Sequence, residues 1–190
     1  MHNHIIPDHK LVESYLEGNE IALEMLVKRY KQKVMTAISM LVYDRYLAED
    51  IFQETFIKVI HSLRGGKYQH EGKFLPWVMR IARNLSIDHI RRNKKMPTIT
   101  DSEGNDISTF IRTDDLNMED RMVRDQTHGH LYDLISRLPE EQREVLILRH
   151  YGDLSFKEIA DITGCSINTA LGRMRYAILN LRKMLVTVPK

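Results

Sequence analysis

Fifteen residues constrain this chain more than any others: Ser155-Phe156-Lys157-Glu158-Ile159-Ala160-Asp161-Ile162-Thr163-Gly164-Cys165-Ser166-Ile167-Asn168-Thr169. Ser155 with Glu158 three residues on is a capping box, so a short helix begins here. Ala160 is small where a second helix must cross closely. Gly164 can take the left-handed backbone that ends a helix and turns the chain. Ser166 then caps the next helix. Two helices joined in this way form a helix-turn-helix, which presents its second helix to the major groove of DNA.

The rest of the chain reads as helical too. Its 190 residues suffice for one large domain or two small ones. Nine glycines and five prolines are few for this length, which favours an all-α fold. The net charge of +2 would not by itself point to nucleic acid, but the charges are segregated. Residues 64–95 carry nine Lys/Arg against two acids, and residues 101–120 carry seven acids against one arginine. That is a basic working surface followed by an acidic connector. The single cysteine, Cys165, excludes an intramolecular disulfide and fits a reducing compartment. At the helix-turn-helix corner it reads as a small packing residue. The N-terminus lacks a signal pattern and no apolar run approaches the ~18 residues of a membrane span. A soluble, cytoplasmic protein with no membrane insertion is expected.

Periodicity sets the expected elements. A short helix capped by Asp8 runs to about Leu16, after a loose tail over residues 1–7. Asn19 caps a long helix to about Val42, with Ala22, Leu23, Leu26, Tyr30, Val34, Ile38 and Leu41 inward. A third helix spans about Arg45 to Leu63, burying Ala48, Ile51, Phe52, Thr55, Phe56, Val59, Ile60 and Leu63, and Gly65-Gly66 ends it. A fourth runs from about Phe74 to Lys94, with Pro76 in its first turn. Residues 96–118 show no amphipathic period and read as a flexible acidic linker. Helices resume over about Glu119–Ser136, then from Pro139 to near Tyr151-Gly152, with Glu140 and Glu141 set against the positive end of the helix dipole. The fold expected is therefore all-α: two small helical domains joined by an acidic flexible linker, the C-terminal one containing a helix-turn-helix.

Three surfaces stand out. On the last helix, Ile167, Ala170, Leu171, Met174, Ile178 and Leu181 share one arc at about 100° per residue and read as core. Asn168, Thr169, Gly172, Arg175, Tyr176 and Lys183 lie opposite, with Arg173 at the edge. That face offers hydrogen-bonding groups for base edges, cations for phosphates and a glycine for close approach. On the fourth helix, Val78, Ile81, Ala82 and Leu85 face inward, while Arg80, Arg83, Arg91 and Lys94 fall within about 80° of one another on the other side. Four cations on one stripe repel unless a polyanion lies nearby. The preceding loop adds Lys67, Tyr68, Lys73 and Phe74, and Trp77 sits at the margin of the apolar arc. Aromatics beside cations suit unpaired bases. The third helix carries Asp50, Gln53 and Glu54 on its outward face. Enzyme chemistry has no support: there is no phosphate loop, dinucleotide fingerprint or nucleophile elbow. The nine histidines are scattered, and His128-Gly129-His130 lacks further ligands at metal-site spacing. No catalytic residue, metal or cofactor is expected.

Ala48-Glu49-Asp50-Ile51-Phe52-Gln53-Glu54-Thr55-Phe56 resembles the most recognisable segment of bacterial RNA polymerase sigma factors. Phe74-Leu75-Pro76-Trp77-Val78-Met79-Arg80-Ile81-Ala82-Arg83-Asn84 resembles the helix that follows it there, and Leu138-Pro139-Glu140-Glu141-Gln142-Arg143-Glu144-Val145 the opening of their C-terminal DNA-binding domain. With only two helical domains, the chain is similar to the extracytoplasmic-function (ECF) class. The resemblance implies a non-enzyme that binds core RNA polymerase, directs it to promoters and helps open the DNA. It implies sigma region 2 at 8–95, a linker at 96–118 and sigma region 4 at 119–187. Asp50, Gln53 and Glu54 would grip the clamp coiled coil of the β′ subunit, with the β subunit a further contact. Tyr68, Lys73, Phe74, Trp77, Arg80, Arg83, Asn84 and Arg91 would hold the minus-ten element as single strand, a base flipping into the loop before Phe74. Asn168, Thr169, Gly172, Arg173, Arg175 and Tyr176 would read the minus-thirty-five element as duplex. The acidic linker would thread channels that normally hold nucleic acid, and an anti-sigma factor would be a further partner.

The chain departs from the family where Thr-Val-Lys-Ser-Arg-Leu is usual. It has Thr169-Ala170-Leu171-Gly172-Arg173-Met174, with Tyr176 before Ala177, so two habitual cations are absent from the reading helix. Weaker phosphate anchoring follows. Two other readings stay open: a helix-turn-helix regulator that binds duplex DNA without polymerase, and a helical adaptor that never reads DNA. The first leaves the basic stripe and the acidic-amide triad unexplained.

Overall fold

Apolar spacing dictates the first four helices, and the computed structural model, which describes residues 6–68, 73–95 and 126–186, forms them close to the expected bounds. They are α1 (Asp8–Leu16), α2 (Glu20–Val42), α3 (Arg45–Arg64) and α4 (Phe74–Lys95). Asn19 caps α2, its side-chain oxygen accepting the Ile21 N–H at 3.1 Å. Tyr43 takes a left-handed φ of 57° at the next corner, and Asp44 caps α3 by accepting the Leu47 N–H at 2.9 Å. Asp8 does not cap α1. Pro7 holds the cap position, where it offers no side-chain bond, and Asp8 is the first helical residue. Its carboxylate instead accepts from the Arg29 guanidinium at 2.5 Å and the Tyr30 hydroxyl at 2.6 Å, tying α1 to α2.

α2 is the axis of this unit and packs on α1, α3 and α4. Leu26, Val34, Ile38 and Met40 on α2 are fully buried against Ile51 and Val59 of α3 and Phe74 and Val78 of α4, among others of the core. Each such side chain contributes about 1.5–3 kcal/mol on burial. The expected inward sets of α2 and α3 are buried or half-buried as read. On α4, Val78, Ala82 and Leu85 are buried and Ile81 half-buried, but Met79 and Ile87 are buried as well. A single apolar stripe does not account for those two; α4 is covered on a second side.

The C-terminal unit comprises α5 (Gln126–Ser136), α6 (Glu140–His150), α7 (Phe156–Thr163) and α8 (Ile167–Val186). Most of the N-terminal tail, the 96–118 linker and the start of the helix expected from Glu119 lie outside the described residues. α6 begins one residue after Pro139, with Glu140 and Glu141 in its first turn and Arg149 and His150 in its last. Both ends thus complement the helix dipole. α8 differs from its expected face. Ile167, Leu171 and Ile178 are exposed, whereas Ala170 and Ala177 are fully buried and Met174 and Leu181 half-buried. The cause is close packing: α8 crosses α6 and α7 through its alanines, so the contact line runs along the small residues and bulkier neighbours are pushed to the rim.

The two units also touch, through α2 against α6 and α4 against α7. Arg83 Nε of α4 donates to Glu144 Oε1 of α6 at 2.5 Å, with the Glu144 side chain only 5% exposed. Lys33 Nζ reaches Asp153 at 3.2 Å. The Tyr43 ring meets the edge of Tyr132, and the Arg143 guanidinium lies 5.4 Å from its centroid. A Cβ on Gly152 would lie 2.7 Å from the Met79 terminal methyl and 2.6 Å from the Leu148 carbonyl oxygen, so only glycine fits this turn as it stands.

Burial and the charge of Asp8 push the Tyr30 and Tyr68 hydroxyls up to about 12. A raised phenol favours the folded state fully below the ordinary tyrosine pKa near 10, and that contribution is lost as pH climbs towards 12. Burial also pushes Tyr43 up to about 12 and raises Tyr151, so four of the eight tyrosines should lag in a 295 nm absorbance titration, and helicity should fall over the same interval. Asp8→Asn should shift the Tyr30 titration downward.

Candidate nucleic-acid interface

The helix-turn-helix forms as its caps dictate. Glu158 N–H donates to Ser155 Oγ while the Glu158 carboxylate accepts the Ser155 N–H at 2.7 Å, closing the capping box. Gly164 takes φ 68° and ends α7. Ser166 Oγ accepts the Thr169 N–H at 3.0 Å and starts α8, and the two hydroxyls share a 2.8 Å hydrogen bond. Cys165 is half-buried at this corner, its sulfur 3.2 Å from the Thr163 hydroxyl. Asn168, Thr169, Arg175 and Tyr176 are exposed on one side of α8. Apart from the backbone of its own helix and its chain neighbours, nothing lies within 4 Å of where a Gly172 Cβ would stand, so that part of the surface is open to a close approach. Arg173 is held differently. It pairs with Glu141 of α6 at 3.1 Å and its side chain is 22% exposed, so it braces α8 on its own unit.

At the start of α4 an aromatic cluster builds upward from the core. Phe74 is fully buried and packs against Tyr30, Tyr68 and Trp77, with ring centroids 5.9, 6.0 and 5.9 Å apart. It is therefore the floor of the site, and its ring is not open to a base. Above it the Tyr68 and Trp77 rings pack with centroids 4.4 Å apart and planes tilted by 42°, both half-buried. Burial, with the charge of Asp8, raises the Tyr68 phenol further above its ordinary range. Lys73 and Arg80 are exposed beside them, and Lys67, Lys73 and Arg80 line one wall of a cleft of about 290 Å³ with Tyr68, Pro76 and Trp77. Further along α4, Asn84 and Arg91 are exposed. Asn84 accepts from Arg83 at 3.2 Å, but the main partner of Arg83 is Glu144. The cationic stripe is thus split: Arg80 and Arg91 face solvent and Arg83 is spent on the other unit. The Lys94 side chain and residues 69–72 of the loop lie outside the described residues.

On α3, Asp50 and Gln53 are exposed and Glu54 is half-exposed, pairing with Lys58 at 3.2 Å and standing 4.0 Å from His89 Nε2. This acidic-amide face is clear of the contact between the units. Reading residues one helix at a time missed Glu144, Glu158 and Asp161. The last two form the opposite wall of the Trp77 cleft with Ile162. Glu144 had a visible signal: a carboxylate beside four consecutive apolar residues on a short helix is headed for burial and needs a cation. Among the described residues, no group of His, Cys, Asp or Glu is placed to hold a metal ion, and no helix is long and apolar enough to cross a membrane.

The corner chemistry separates two glycines. Gly164→Ala forces an L-residue into the left-handed region and should lower stability by about 1–2 kcal/mol. Gly172→Ala sits mid-helix in open space and should raise it by up to ~1 kcal/mol. Thermal denaturation of the two variants should shift in opposite directions.

Two family models match the chain: Sigma-70 region 2 over residues 26–96 and Sigma-70 region 4 over residues 128–174. The RNA polymerase sigma-H factor of Pseudomonas aeruginosa is 31% identical over 171 residues, covering 88% of each chain. The ECF RNA polymerase sigma-E factor of Haemophilus influenzae is 30% identical, covering 89% of this chain and 90% of that one. Among solved structures, CnrH in complex with the cytosolic domain of CnrY is similar in fold, with a TM-score of 0.70 at 20% identity, covering 97% of this chain and all of that one. The family segments fall on α2–α4 and on α5–α8, where the basic-aromatic cleft and the helix-turn-helix lie. The chain belongs to the ECF class of RNA polymerase sigma factors, which direct transcription initiation.

Proposed function

We propose that the N-terminal unit docks on core RNA polymerase and holds the minus-ten element as single strand while the C-terminal unit reads the minus-thirty-five element as duplex. The observation that carries this reading is the Tyr68–Trp77 ring pair lining one cleft with Lys73 and Arg80 on one unit, with an exposed helix-turn-helix face on the other. Extruding a base from the duplex costs a few kcal/mol. Stacking on an aromatic side chain returns about 1–3 kcal/mol per base, and cations on the phosphates supply the remainder. The minus-ten contacts are Tyr68, Lys73, Trp77, Arg80, Asn84 and Arg91, with Phe74 beneath them. Asn168, Thr169, Arg175 and Tyr176 contact the minus-thirty-five groove across Gly172, and Asp50, Gln53 and Glu54 form the polymerase-binding face. Arg83 and Arg173 reach DNA only after leaving Glu144 and Glu141. An anti-sigma factor is a further partner, supported by the complexes in which similar folds were solved: CnrH with the CnrY cytosolic domain, and the sigma factor RpoE of Bartonella quintana with the anti-sigma factor NepR.

Run-off transcription on genomic fragments tests the reading: core polymerase plus this protein should initiate at discrete promoters that core polymerase alone ignores. Asp50→Arg with Glu54→Arg should weaken polymerase binding at least tenfold with helicity intact; normal holoenzyme assembly would remove α3 from the interface. Arg80→Glu with Arg91→Glu should leave assembly unchanged and abolish permanganate reactivity of the melted strand. A melted strand that stays reactive would take the cleft out of promoter opening.

A further inference from the structure

Leu171 is out of place. Its spacing on α8 assigns it to the core, yet it is 44% exposed. The contact line of α8 runs through Ala170 and Ala177 instead, both fully buried. Leu171 stands one residue past Ala170, about 100° round the helix, which turns it out of the core and towards the face proposed to read duplex DNA. Asn168 precedes it by three residues and Arg175 follows it by four, so the three side chains are neighbours along one column. Both of these flanking residues are exposed. Gly172 next to it adds no side chain that would hold the helix off a groove. Arg173, one further on, is taken by Glu141 at 3.1 Å. Within residues 167–177, Arg175 is therefore the one exposed cation. This end of α8 is poor in groups for phosphates and carries a large apolar side chain where base edges would lie.

A leucine makes neither a hydrogen bond to a base edge nor an ion pair with a phosphate. In the major groove, unmodified base pairs present polar nitrogens and oxygens and one apolar group, the C5-methyl of thymine. Pressed against the polar edges, the leucine would strand donors and acceptors that water otherwise satisfies. Pressed against the methyl, it removes apolar surface from water on both partners. Asn168 supplies the polar counterpart, since its amide can pair with N6 and N7 of adenine. We infer that Leu171 is a specificity-determining residue that reads a thymine methyl in the minus-thirty-five duplex, within about one base-pair step of the base met by Asn168. The three-residue offset between the two side chains is about 4.5 Å along the helix axis, against about 3.4 Å per base pair. The inference rests on the reading of α8 as the duplex reader given above.

Uracil differs from thymine by that methyl alone, so the contact can be removed from the DNA side one position at a time. The template is a promoter recovered by run-off transcription with core polymerase and the full-length chain. At subsaturating holoenzyme, uracil in place of one thymine of the minus-thirty-five element should lower initiation by the wild type about fourfold, the worth of one buried methyl-sized group. Leu171→Ala should initiate less well on the thymine template and no longer distinguish it from the uracil one, with helicity unchanged. Ile178→Ala removes an apolar side chain of similar exposure, 37%, about two turns further along α8. It should keep the wild-type preference. A wild type that tolerates uracil at every thymine of the element overturns the assignment. So does a Leu171→Ala protein that keeps the preference, or an Ile178→Ala protein that loses it as fully. Replacing every base pair of the element distinguishes loss of this contact from loss of the site. If the replacement abolishes initiation while uracil is tolerated throughout, Leu171 alone loses its role. If the replacement is tolerated, or no promoter is used at all, α8 does not read the minus-thirty-five duplex and the Leu171 assignment falls with it.

Discussion

Everything in the C-terminal half depends on α6 being covered on two sides. Its residues Glu144, Val145, Leu146, Ile147 and Leu148 are all buried, and five consecutive positions sweep more than a full turn. A helix segment buried through a full turn needs neighbours on more than one side. One side of α6 is taken by α8, and the other faces α2. The second side draws the two units together and dictates who their neighbours are. Glu144 is the polar consequence: once α6 is sandwiched, its carboxylate needs a cation, and Arg83 supplies one.

The parts of this protein most legible in the sequence are those fixed by local chemistry. The capping box at Ser155 and Glu158, the left-handed Gly164 and the Asn19 cap formed as read, because each depends on a few bonds within one turn. The long arcs of α2 and α3 were legible for a related reason: each packs one broad face on a single core. Asp8 misled because a free carboxylate at a helix start has two uses. Arg29 and Tyr30, some twenty residues away, outbid the helix terminus for it. The α8 stripe misled because the wheel weighs residues by hydrophobicity, while helix contact at short range selects for small size. Ala170 and Ala177 set that contact line, and Ile167 and Leu171 ended outside it.

The site was legible as a set of residue types but not as an arrangement. Tyr68, Trp77, Lys73 and Arg80 lie together because they flank the start of one helix. Phe74, two residues from Pro76 and in the same aromatic run, sinks to the floor because it faces Tyr30 across the bundle. Arg83 and Arg173 looked equivalent to their exposed neighbours, yet each is half-withdrawn by a glutamate of α6. Those two glutamates, Glu144 and Glu141, belong to one short motif near the start of α6. That motif therefore fixes which cations of α4 and α8 are open to a polyanion, a link that no inspection of either helix alone contains.

The strength of the contact between the units follows from what happens to its charges on separation. Deleting one member of a buried pair strands the other and costs about 3–5 kcal/mol. Parting Arg83 from Glu144 is different, because both ions regain water, so the pair contributes far less to holding the units together than a single-site deletion would indicate. The exposed Lys33–Asp153 pair adds about 0–1 kcal/mol, and the Arg143–Tyr43 stack about 0.5–2 kcal/mol. These polar contacts position the interface more than they hold it; its cohesion lies in the second apolar face of α6 and in Met79. A partner that recovers that apolar face offsets most of the cost of opening. A nanomolar protein–protein contact is worth about 12 kcal/mol, which leaves ample margin to replace the intramolecular packing with an intermolecular one. A phosphate chain could compete for Arg83 but would cover none of Val145–Leu148, so it would offset only the polar part of this contact.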